Sequence, residues 1–227
     1  VEDAALAIGS RAGGQPVGAT GDLVSFSFHP NKNLTTIEGG ALVVNDAAEA
    51  AAIERLRFHG IVRLADGTRD VEVPGGKYNM SDVSARLGNA QLAHLDDWCA
   101  ARERLARHYF ECLAGEELLP GDALPPRDNP GHSWNMFTVL LPLGAIAITR
   151  KQFIDAMQQK GIGIGLSYEA IHLTSYFRGK GYRQGQFPNS ERIARETVTL
   201  PLYPEMTPSD VHRACTAMSE VLRGKAP

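Results

Sequence analysis

The sequence predicts an α/β protein with two domains, on three observations. Short runs rich in β-branched and aromatic residues, at 22–28 and 41–44, have the composition of strands. Apolar residues recur near helical spacing over 92–114 and indicate a long amphipathic helix. Beyond a proline-rich stretch at 119–131, strand-like and helix-like segments alternate, which favours a small α/β sandwich.

Two strands are expected in the first part of the chain. The first follows Gly21 and should end before Pro30, because proline fixes φ and cannot donate a hydrogen bond to a sheet. The second is a short apolar run after Gly39 and Gly40, which is typical of a buried strand. A polar loop should connect the two strands.

Helices and one long loop are expected next. The alanine-rich segment 47–57 has high helix propensity, with an N-cap candidate in Asn45 or Asp46. Residues 61–76 mix charge with glycine and proline without clear periodicity, so we expect an extended loop there. A further helix should begin near Ser81.

The second half of the chain contains alternating elements with a polar stretch between them. We expect strand-like segments at 134–141, 162–167 and 198–202, and helices at 150–160 and 211–222. Both helices have N-terminal signatures, Thr149 with Gln152 three residues on, and Thr207 followed by a proline.

The proline-rich stretch is the expected domain boundary, because no regular element accommodates so many prolines. We place a large domain with its connecting helix at 1–115 and a small α/β sandwich domain at 116–227. The chain opens at Val1 without a methionine, and we expect it to be truncated at its N-terminus.

Composition and charge exclude several classes of protein. The 227 residues are 43% hydrophobic and 22% charged, as in ordinary globular proteins, and the formal net charge of -3 offers no dense positive field for nucleic acid. No run approaches the roughly 20 apolar residues of a membrane span, and the first residues do not resemble a signal peptide. We therefore expect a cytoplasmic protein that binds neither nucleic acid nor membrane.

The cysteines predict neither disulfides nor a metal site. There are three, Cys99, Cys112 and Cys215, and they are widely spaced with no C-x-x-C pair. We expect them to be reduced and mostly to pack against other side chains.

Lys32 is the first candidate for chemistry. Most loop lysines are solvated surface residues. Lys32, however, follows a predicted strand and Pro30 and precedes a glycine pair, so it should lie on a rigid turn. A lysine that forms an imine with an aldehyde cofactor needs such a turn and partial desolvation, so that the neutral amine is available.

Ser27 and Asp3 are weaker candidates when taken alone. Ser27 ends the first predicted strand, where its hydroxyl could meet a phosphate, although a serine there can also simply face the other side of a sheet. Asp3 closes a short apolar opening, where a carboxylate can pair with a cation or cap a turn. The residues alone leave both pairs of alternatives open.

The motifs together closely resemble the DegT/StrS-type family of pyridoxal 5'-phosphate (PLP) dependent nucleotide-sugar aminotransferases. The residues that carry the resemblance are Glu2-Asp3-Ala4-Ala5, Gly21-Asp22-Leu23-Val24-Ser25-Phe26-Ser27-Phe28-His29-Pro30-Asn31-Lys32-Asn33, Glu38-Gly39-Gly40-Ala41, Lys77-Tyr78-Asn79 and Leu200-Pro201-Leu202-Tyr203-Pro204. The likeness covers nearly the whole chain. Within the family, Ser-Phe-His-x-x-Lys-Asn and residues 161–166 most resemble the enzymes that make UDP-4-amino-4-deoxy-L-arabinose for lipid A.

The resemblance implies a PLP-dependent transferase of fold type I and a role for each matching residue. Lys32 would bond to the cofactor and move the proton during the reaction, and Asp3 would keep the pyridine nitrogen protonated. Ser27 would bind the cofactor phosphate, and Asn79 would reach the same phosphate from the other subunit of a homodimer.

The resemblance also implies which residues bind the substrate, a nucleotide-linked keto-sugar, while the amino donor would be glutamate. His29, Tyr168 and His172 would line the sugar site. His172 is equally well explained as an ordinary loop histidine. Asn135 and Ser167 stand where the nearest relatives tend to have histidines, so the substrate preference should differ from theirs.

Two departures from the family pattern concern the cofactor. Leu6 stands where most members have Gln or His, three residues after the aspartate, and it can pack against the ring without hydrogen bonding. The chain also lacks the family's N-terminal phosphate loop and the aromatic residue that covers the ring. We therefore expect this chain to bind PLP with full affinity only when the missing segment is supplied.

Two other functions remain open from the sequence. Some relatives are PLP-dependent sugar dehydratases, although these typically lack the lysine that this chain has at position 32. A fragment kept only for dimerisation or assembly is the non-enzymatic alternative.

Overall fold

A computed structural model describes residues 1–21, 23–117, 119–127 and 129–224. The described chain forms two compact units, one of residues 1–100 with 130–135 and the other of residues 101–129 with everything from 136 onward. Asp22, at the start of the first predicted strand, lies outside the described residues, as do five positions of the predicted small domain, 118, 128 and 225–227.

The first unit begins with five short strands, which are followed by helices and one further pair of strands. In chain order they are β1 (Glu2–Asp3), β2 (Arg11–Ala12), β3 (Gln15–Pro16), β4 (Val24–Ser27), β5 (Gly40–Val43), α1 (Ala47–Arg57), β6 (Ile61–Arg63), β7 (Arg69–Val71), α2 (Asp82–Leu92) and the start of α3 (Leu95–Leu113). A three-stranded sheet has the order β1-β4-β5, in which β1 runs parallel and β5 antiparallel to β4. The predicted strands at 22–28 and 41–44 are confirmed as β4 and β5, which pair with each other. The expectation that the second strand is buried was wrong, because Gly40, Ala41 and Leu42 are exposed.

Local capping explains where the first two helices begin. The Asp46 carboxylate accepts hydrogen bonds from the backbone N–H groups of Ala48 and Glu49, and the Ser81 hydroxyl accepts one from Ser84. Both starts agree with the sequence prediction.

Two predictions for the first unit were wrong. Residues 61–76 are not a plain extended loop, because β6 and β7 form an antiparallel hairpin whose turn contains Asp66 and Gly67. The helix predicted at 92–114 begins at Leu95, because α2 ends at Leu92 and two residues separate the helices.

The second unit packs helices on a two-stranded antiparallel sheet. After the rest of α3 come β8 (Phe137–Leu140), α4 (Arg150–Gln159), a 3-10 turn (Ile171–Leu173), α5 (Ser175–Gly179), α6 (Pro188–Glu196), β9 (Thr197–Leu200) and α7 (Pro208–Leu222). Strands β8 and β9 pair with each other, and α4 packs on α7. Capping boxes begin α4 at Thr149 and α7 at Thr207, as predicted.

The core of the second unit is built from apolar side chains of α3, α4, α7 and both strands. The largest fully buried ones are Tyr109, Phe137, Phe153, Leu141, Met157, Leu200 and Met218. The Tyr109 ring stacks on Phe137 at 4.8 Å, and its hydroxyl donates a hydrogen bond to the Pro201 carbonyl at 2.7 Å. Burial raises the pKa of Tyr109.

Sequence reasoning was wrong about the segment between α4 and β9. The predicted strand at 162–167 is absent from the described chain, where only Gly165 bridges to Thr199. The polar stretch that follows contains α5 and α6, which were not predicted.

Within the described residues, Cys99, Cys112 and Cys215 are not joined by disulfides, and burial raises the pKa of the Cys215 thiol. No helix in the described part of the chain is long and apolar enough to cross a lipid bilayer.

Candidate active site

Asp3 and Ser27 lie at one edge and on one face of the three-stranded sheet. Strands β1 and β4 are parallel and in register, with Asp3 opposite Ser25. Paired residues share a sheet face, and the side chains alternate along a strand, so Asp3, Ser25 and Ser27 point the same way. Because the strands are parallel, both end at the same edge.

Both side chains retain unused hydrogen-bonding capacity. Asp3 is exposed, and its Oδ1 accepts a hydrogen bond from the Ala5 N–H at 3.0 Å. The Ser27 hydroxyl accepts a long hydrogen bond of 3.4 Å from the His29 N–H. Within the described residues, Asp3 Oδ2 has no hydrogen-bond partner and the Ser27 hydroxyl proton has no acceptor.

Lys32 lies in the turn directly after β4. Its backbone N–H donates to the His29 carbonyl at 3.0 Å, which closes the turn that contains Pro30. The side chain is half-buried, and its ammonium has no hydrogen-bond or ion-pair partner in the described part of the chain. A half-buried cation without a counter-charge is available to a ligand.

His29 is exposed on the same turn. Its Nδ1 lies 2.9 Å from the Asn31 Oδ1. The imidazole is therefore oriented by its neighbour while the ring remains accessible.

The backbone that follows Lys32 is strained at Ile37. This β-branched residue has φ of 72°, a left-handed conformation that costs about 1–3 kcal/mol. A local hydrogen bond holds it, because the Ile37 N–H donates to the Thr35 hydroxyl at 2.9 Å. Such strain persists where the surrounding structure fixes the chain, and it often marks functional sites.

Asn79 lies in the segment just before α2. It is half-buried, and its Oδ1 accepts a hydrogen bond from the Lys77 ammonium at 2.9 Å. Its predicted role across a subunit interface stays a prediction.

Tyr168 and His172 belong to the second unit, where they line a cavity of about 500 Å³ together with Phe177, Phe187 and Ile193. Tyr168 is 69% exposed and has φ of 44°. His172, in contrast, is only 8% exposed. Of the two, Tyr168 is the more accessible to a substrate.

The His172 imidazole is engaged by a residue that the sequence did not point to. Its Nε2 lies 2.9 Å from Glu191 Oε1, which also accepts a hydrogen bond from the Gly185 N–H at 2.7 Å. The pKa of Glu191 is lowered, and the largest cause is its hydrogen bond with His172. These contacts give His172 a structural role in the second unit. Its contact with the substrate stays a prediction.

The structure also shows two positions where this sequence differs from the family pattern, Leu6 and Ser167. Leu6 is 42% exposed just beyond β1, so its apolar side chain is free to pack against a ligand. The Ser167 hydroxyl lies 2.7 Å from the Thr199 hydroxyl.

The residues of the first unit fit PLP. A carboxylate oxygen of Asp3, the hydroxyl proton of Ser27 and the amine of Lys32 are all unengaged within the described chain. They are the chemical complements of a pyridine nitrogen, a phosphate and an aldehyde.

Comparisons with known proteins show which family the chain resembles. The profile of the DegT/DnrJ/EryC1/StrS aminotransferase family matches residues 1–219. An uncharacterized protein of Methanocaldococcus jannaschii is 34% identical over 232 aligned residues, which cover 98% of this chain and 59% of that protein.

Two solved structures illustrate the shared fold. DesV of S. venezuelae, solved with a ketimine intermediate, is 31% identical with a TM-score of 0.82, over 96% of this chain and 56% of that one. A Streptococcus pneumoniae protein named as a sugar aminotransferase, in its PMP form, is 25% identical with a TM-score of 0.86, over 98% of this chain and 58% of that one. The chain therefore spans little more than half the length of the proteins that it matches.

Proposed function

Because the chain belongs to the DegT/DnrJ/EryC1/StrS aminotransferase family, we propose that the protein containing it transfers an amino group from glutamate to a nucleotide-linked keto-sugar. Family membership confirms the resemblance seen in the sequence, the type I fold and the PLP dependence of the family. The substrate, the donor and the site residues are parts of the proposal.

One observation carries the proposal. Asp3 and Ser27 share a face and an edge of a parallel strand pair, and Lys32 follows in the next turn with an unpaired, half-buried ammonium. Most lysines without a chemical role are solvated or paired with a carboxylate. Lys32 is half-buried and has no carboxylate partner among the described residues, so its amine is available to an aldehyde.

When bound, PLP supplies an aldehyde that accepts an amino group and a ring that stores an electron pair. Asp3 would hold the cofactor at its ring nitrogen and favour the protonated form of that nitrogen. Lys32 would hold the cofactor through its amine, and the same amine would act as the base that moves a proton during the transfer. Glutamate loses its amino group and becomes the 2-oxo acid, and the ketone carbon of the sugar gains that amino group.

Ser27 would donate a hydrogen bond from its hydroxyl to the cofactor phosphate, and Asn79 of a second copy would reach the same group. A homodimer with shared sites is therefore part of the proposal. Two apolar side chains near Asn79 support an interface there, because Tyr78 is 79% and Val83 is 78% exposed.

In the second unit the sugar contacts Tyr168, and the buried His172 lines the same cavity. His29 of the first unit is a separate candidate for contact with the sugar. An amino sugar attached to a nucleotide serves cell-surface polysaccharide or lipid A synthesis, and we propose a cytoplasmic reaction. The Glu191 contact gives His172 a fixed ring orientation, which suits a residue behind the substrate.

The direct test is a transfer assay with the full-length gene product, PLP, glutamate labelled with ¹⁵N and a panel of nucleotide-linked keto-sugars. The proposal predicts an amino sugar that carries ¹⁵N and an equal amount of 2-oxoglutarate. Lys32→Ala should abolish turnover, whereas Lys151→Ala, which removes an exposed lysine paired with Asp155, should leave it unchanged. A product that has lost water and gained no nitrogen would support a dehydratase instead.

Shared sites have a separate test in mixed dimers. Lys32→Ala and Asn79→Ala should each lower activity as homodimers. Mixing the two variants should restore activity, because one site of the mixed dimer then has both wild-type residues. No recovery after verified subunit exchange would contradict a site built from two copies.

A further inference from the structure

Lys32 lies on a loop that is anchored from within the protein. The loop joins β4 to β5 and comprises residues 28–39, called the lysine loop below. Beyond Lys32 the loop turns inward, since Asn33 is 5%, Leu34 is 3% and Thr36 is 2% exposed. The position of the amine therefore depends on what holds these neighbours.

The first anchor is the Asn33 side chain. Its Nδ2 donates to the Ser133 carbonyl at 2.9 Å in a buried hydrogen bond that joins residues 100 positions apart. Ser133 is itself fixed, because its N–H donates to the Ser10 hydroxyl at 3.1 Å and that hydroxyl donates to the Ser133 Oγ at 2.8 Å. The residue next to Lys32 is thus tied to a rigid part of the first unit.

The second anchor is Gln91, on the last turn of α2. Its Oε1 accepts from the Thr35 N–H at 3.2 Å, and its Nε2 donates to the Thr35 carbonyl at 2.7 Å. The Nε2 also donates to the Leu87 carbonyl at 3.1 Å, which orients the amide along its own helix. One side chain therefore pairs with both backbone groups of Thr35, as a neighbouring strand would.

The Asn33 amide is only partly satisfied by its hydrogen bond to the Ser133 carbonyl. The Asn33 Oδ1 is buried without a hydrogen-bond partner among the described residues, which is unfavourable for folding. An apolar residue of the same size would remove this unpaired oxygen, but it would also leave the buried Ser133 carbonyl without its donor. Sites that break a local packing rule in this way are often functional.

We propose that Asn33 and Gln91 are positioning residues that hold Lys32 where its amine meets the aldehyde of the cofactor, an inference that rests on the proposed function. Neither side chain contacts the Lys32 amine, so both act through the backbone of the lysine loop. Displacing a reacting group by about 1 Å can lower a rate about 100-fold, which makes such anchoring consequential.

The experiment uses the full-length protein with Gln91→Met, which keeps the length of the side chain and removes its hydrogen bonds. Gln91→Glu keeps the acceptor for the Thr35 N–H and is the milder variant. The matched control is Gln152→Met, because Gln152 Oε1 likewise accepts from a backbone N–H, that of Thr149 at 2.9 Å, in the second unit. Thermal melting identifies the temperature range in which every variant is folded.

The first readout is the rate at which PLP condenses with Lys32, followed by stopped-flow absorbance, together with the pH profile of the resulting band. Gln91→Met should lower the condensation rate and kcat about 10- to 100-fold with little change in KM. Gln91→Glu should lower the condensation rate and kcat by a smaller factor. Gln152→Met should leave the condensation rate and kcat unchanged. Equal rates in Gln91→Met and wild type, or equal losses in Gln91→Met and Gln152→Met, would overturn the proposal.

The second readout needs no PLP and so separates this proposal from the proposed function. Formaldehyde and a hydride donor methylate lysine amines, since the amine and aldehyde lose water and the hydride reduces the product. Peptide mapping should show Lys32 methylated several-fold faster in Gln91→Met and in Asn33→Leu than in wild type, with Lys151 unchanged. An unaltered Lys32 rate in both folded variants would overturn the positioning role, even if PLP binding and turnover were normal.

Discussion

Replacing Gly40 by alanine should disturb the site at Ser27 through the backbone. Gly40 is paired with Ser27 across β4 and β5. A Cβ at position 40 would lie 2.6 Å from the Phe26 carbonyl oxygen, whereas ordinary contacts begin near 3.4 Å. Because the clash is with backbone, no rotamer relieves it, and the two strands have to separate where Ser27 is held.

Relieving this clash requires a shift of backbone, and such strain costs about 1–3 kcal/mol. For a domain of this size, such a loss lowers the melting temperature by at least about 2 °C. Gly40→Ala should also weaken PLP binding, because the Ser27 hydroxyl moves. The assays are thermal melting and a PLP titration of the full-length protein.

The control is Gly163→Ala, since a Cβ there meets no atom within 4 Å and the backbone is not left-handed. It should change neither quantity appreciably. If Gly40→Ala melts and binds PLP like wild type, the strand register that places Ser27 is refuted.

Three further substitutions test other parts of the molecule. Glu191→Gln should be less stable than wild type at neutral pH, because the lowered pKa of Glu191 means that its carboxylate stabilises the fold only while it is ionised. The difference in stability should shrink on acidification below about pH 4.5. Melting temperatures that differ by the same amount at every pH would contradict this. Tyr109→Phe should lose about 1–2 kcal/mol in denaturant unfolding, because the Pro201 carbonyl loses its donor, and an unchanged midpoint would show that this hydrogen bond contributes nothing. Asp3→Asn should leave PLP bound but lower turnover by up to about 1000-fold, because a charge pair at about 4 Å contributes about 4 kcal/mol at an effective dielectric of 20. A kcat close to that of wild type would show that Asp3 does not keep the ring nitrogen protonated.

Elements with strong local signals were predictable from the sequence. The N-caps at Thr149 and Thr207 specify where α4 and α7 begin, whatever packs around them. The strands at Val24–Ser27 and Gly40–Val43 are likewise set by composition and by the flanking proline and glycines.

Elements that depend on weak or distant signals could not be predicted from the sequence. All three residues of β7 are exposed, so no alternation of apolar and polar residues marked that hairpin. The segment 162–167 is apolar but contains glycines, and only Gly165 finds a partner on β9. Helix α6 is almost wholly polar and begins at Pro188, a residue that suits the first helical turn but is also common in loops.

The candidate site shows the same division. Short motifs around Asp3, Ser27 and Lys32 pointed to PLP, because they resemble a known family. The residues that hold the lysine loop, Gln91 and Ser133, lie far away in the sequence, and no local pattern distinguishes them. Only the folded chain reveals such contacts.

The most direct test of the central claim is borohydride reduction of the full-length protein with PLP, followed by peptide mapping. Reduction fixes the cofactor to whichever amine it has joined. The account predicts a pyridoxyl group on Lys32 alone. A label on another lysine, or on none, would contradict it.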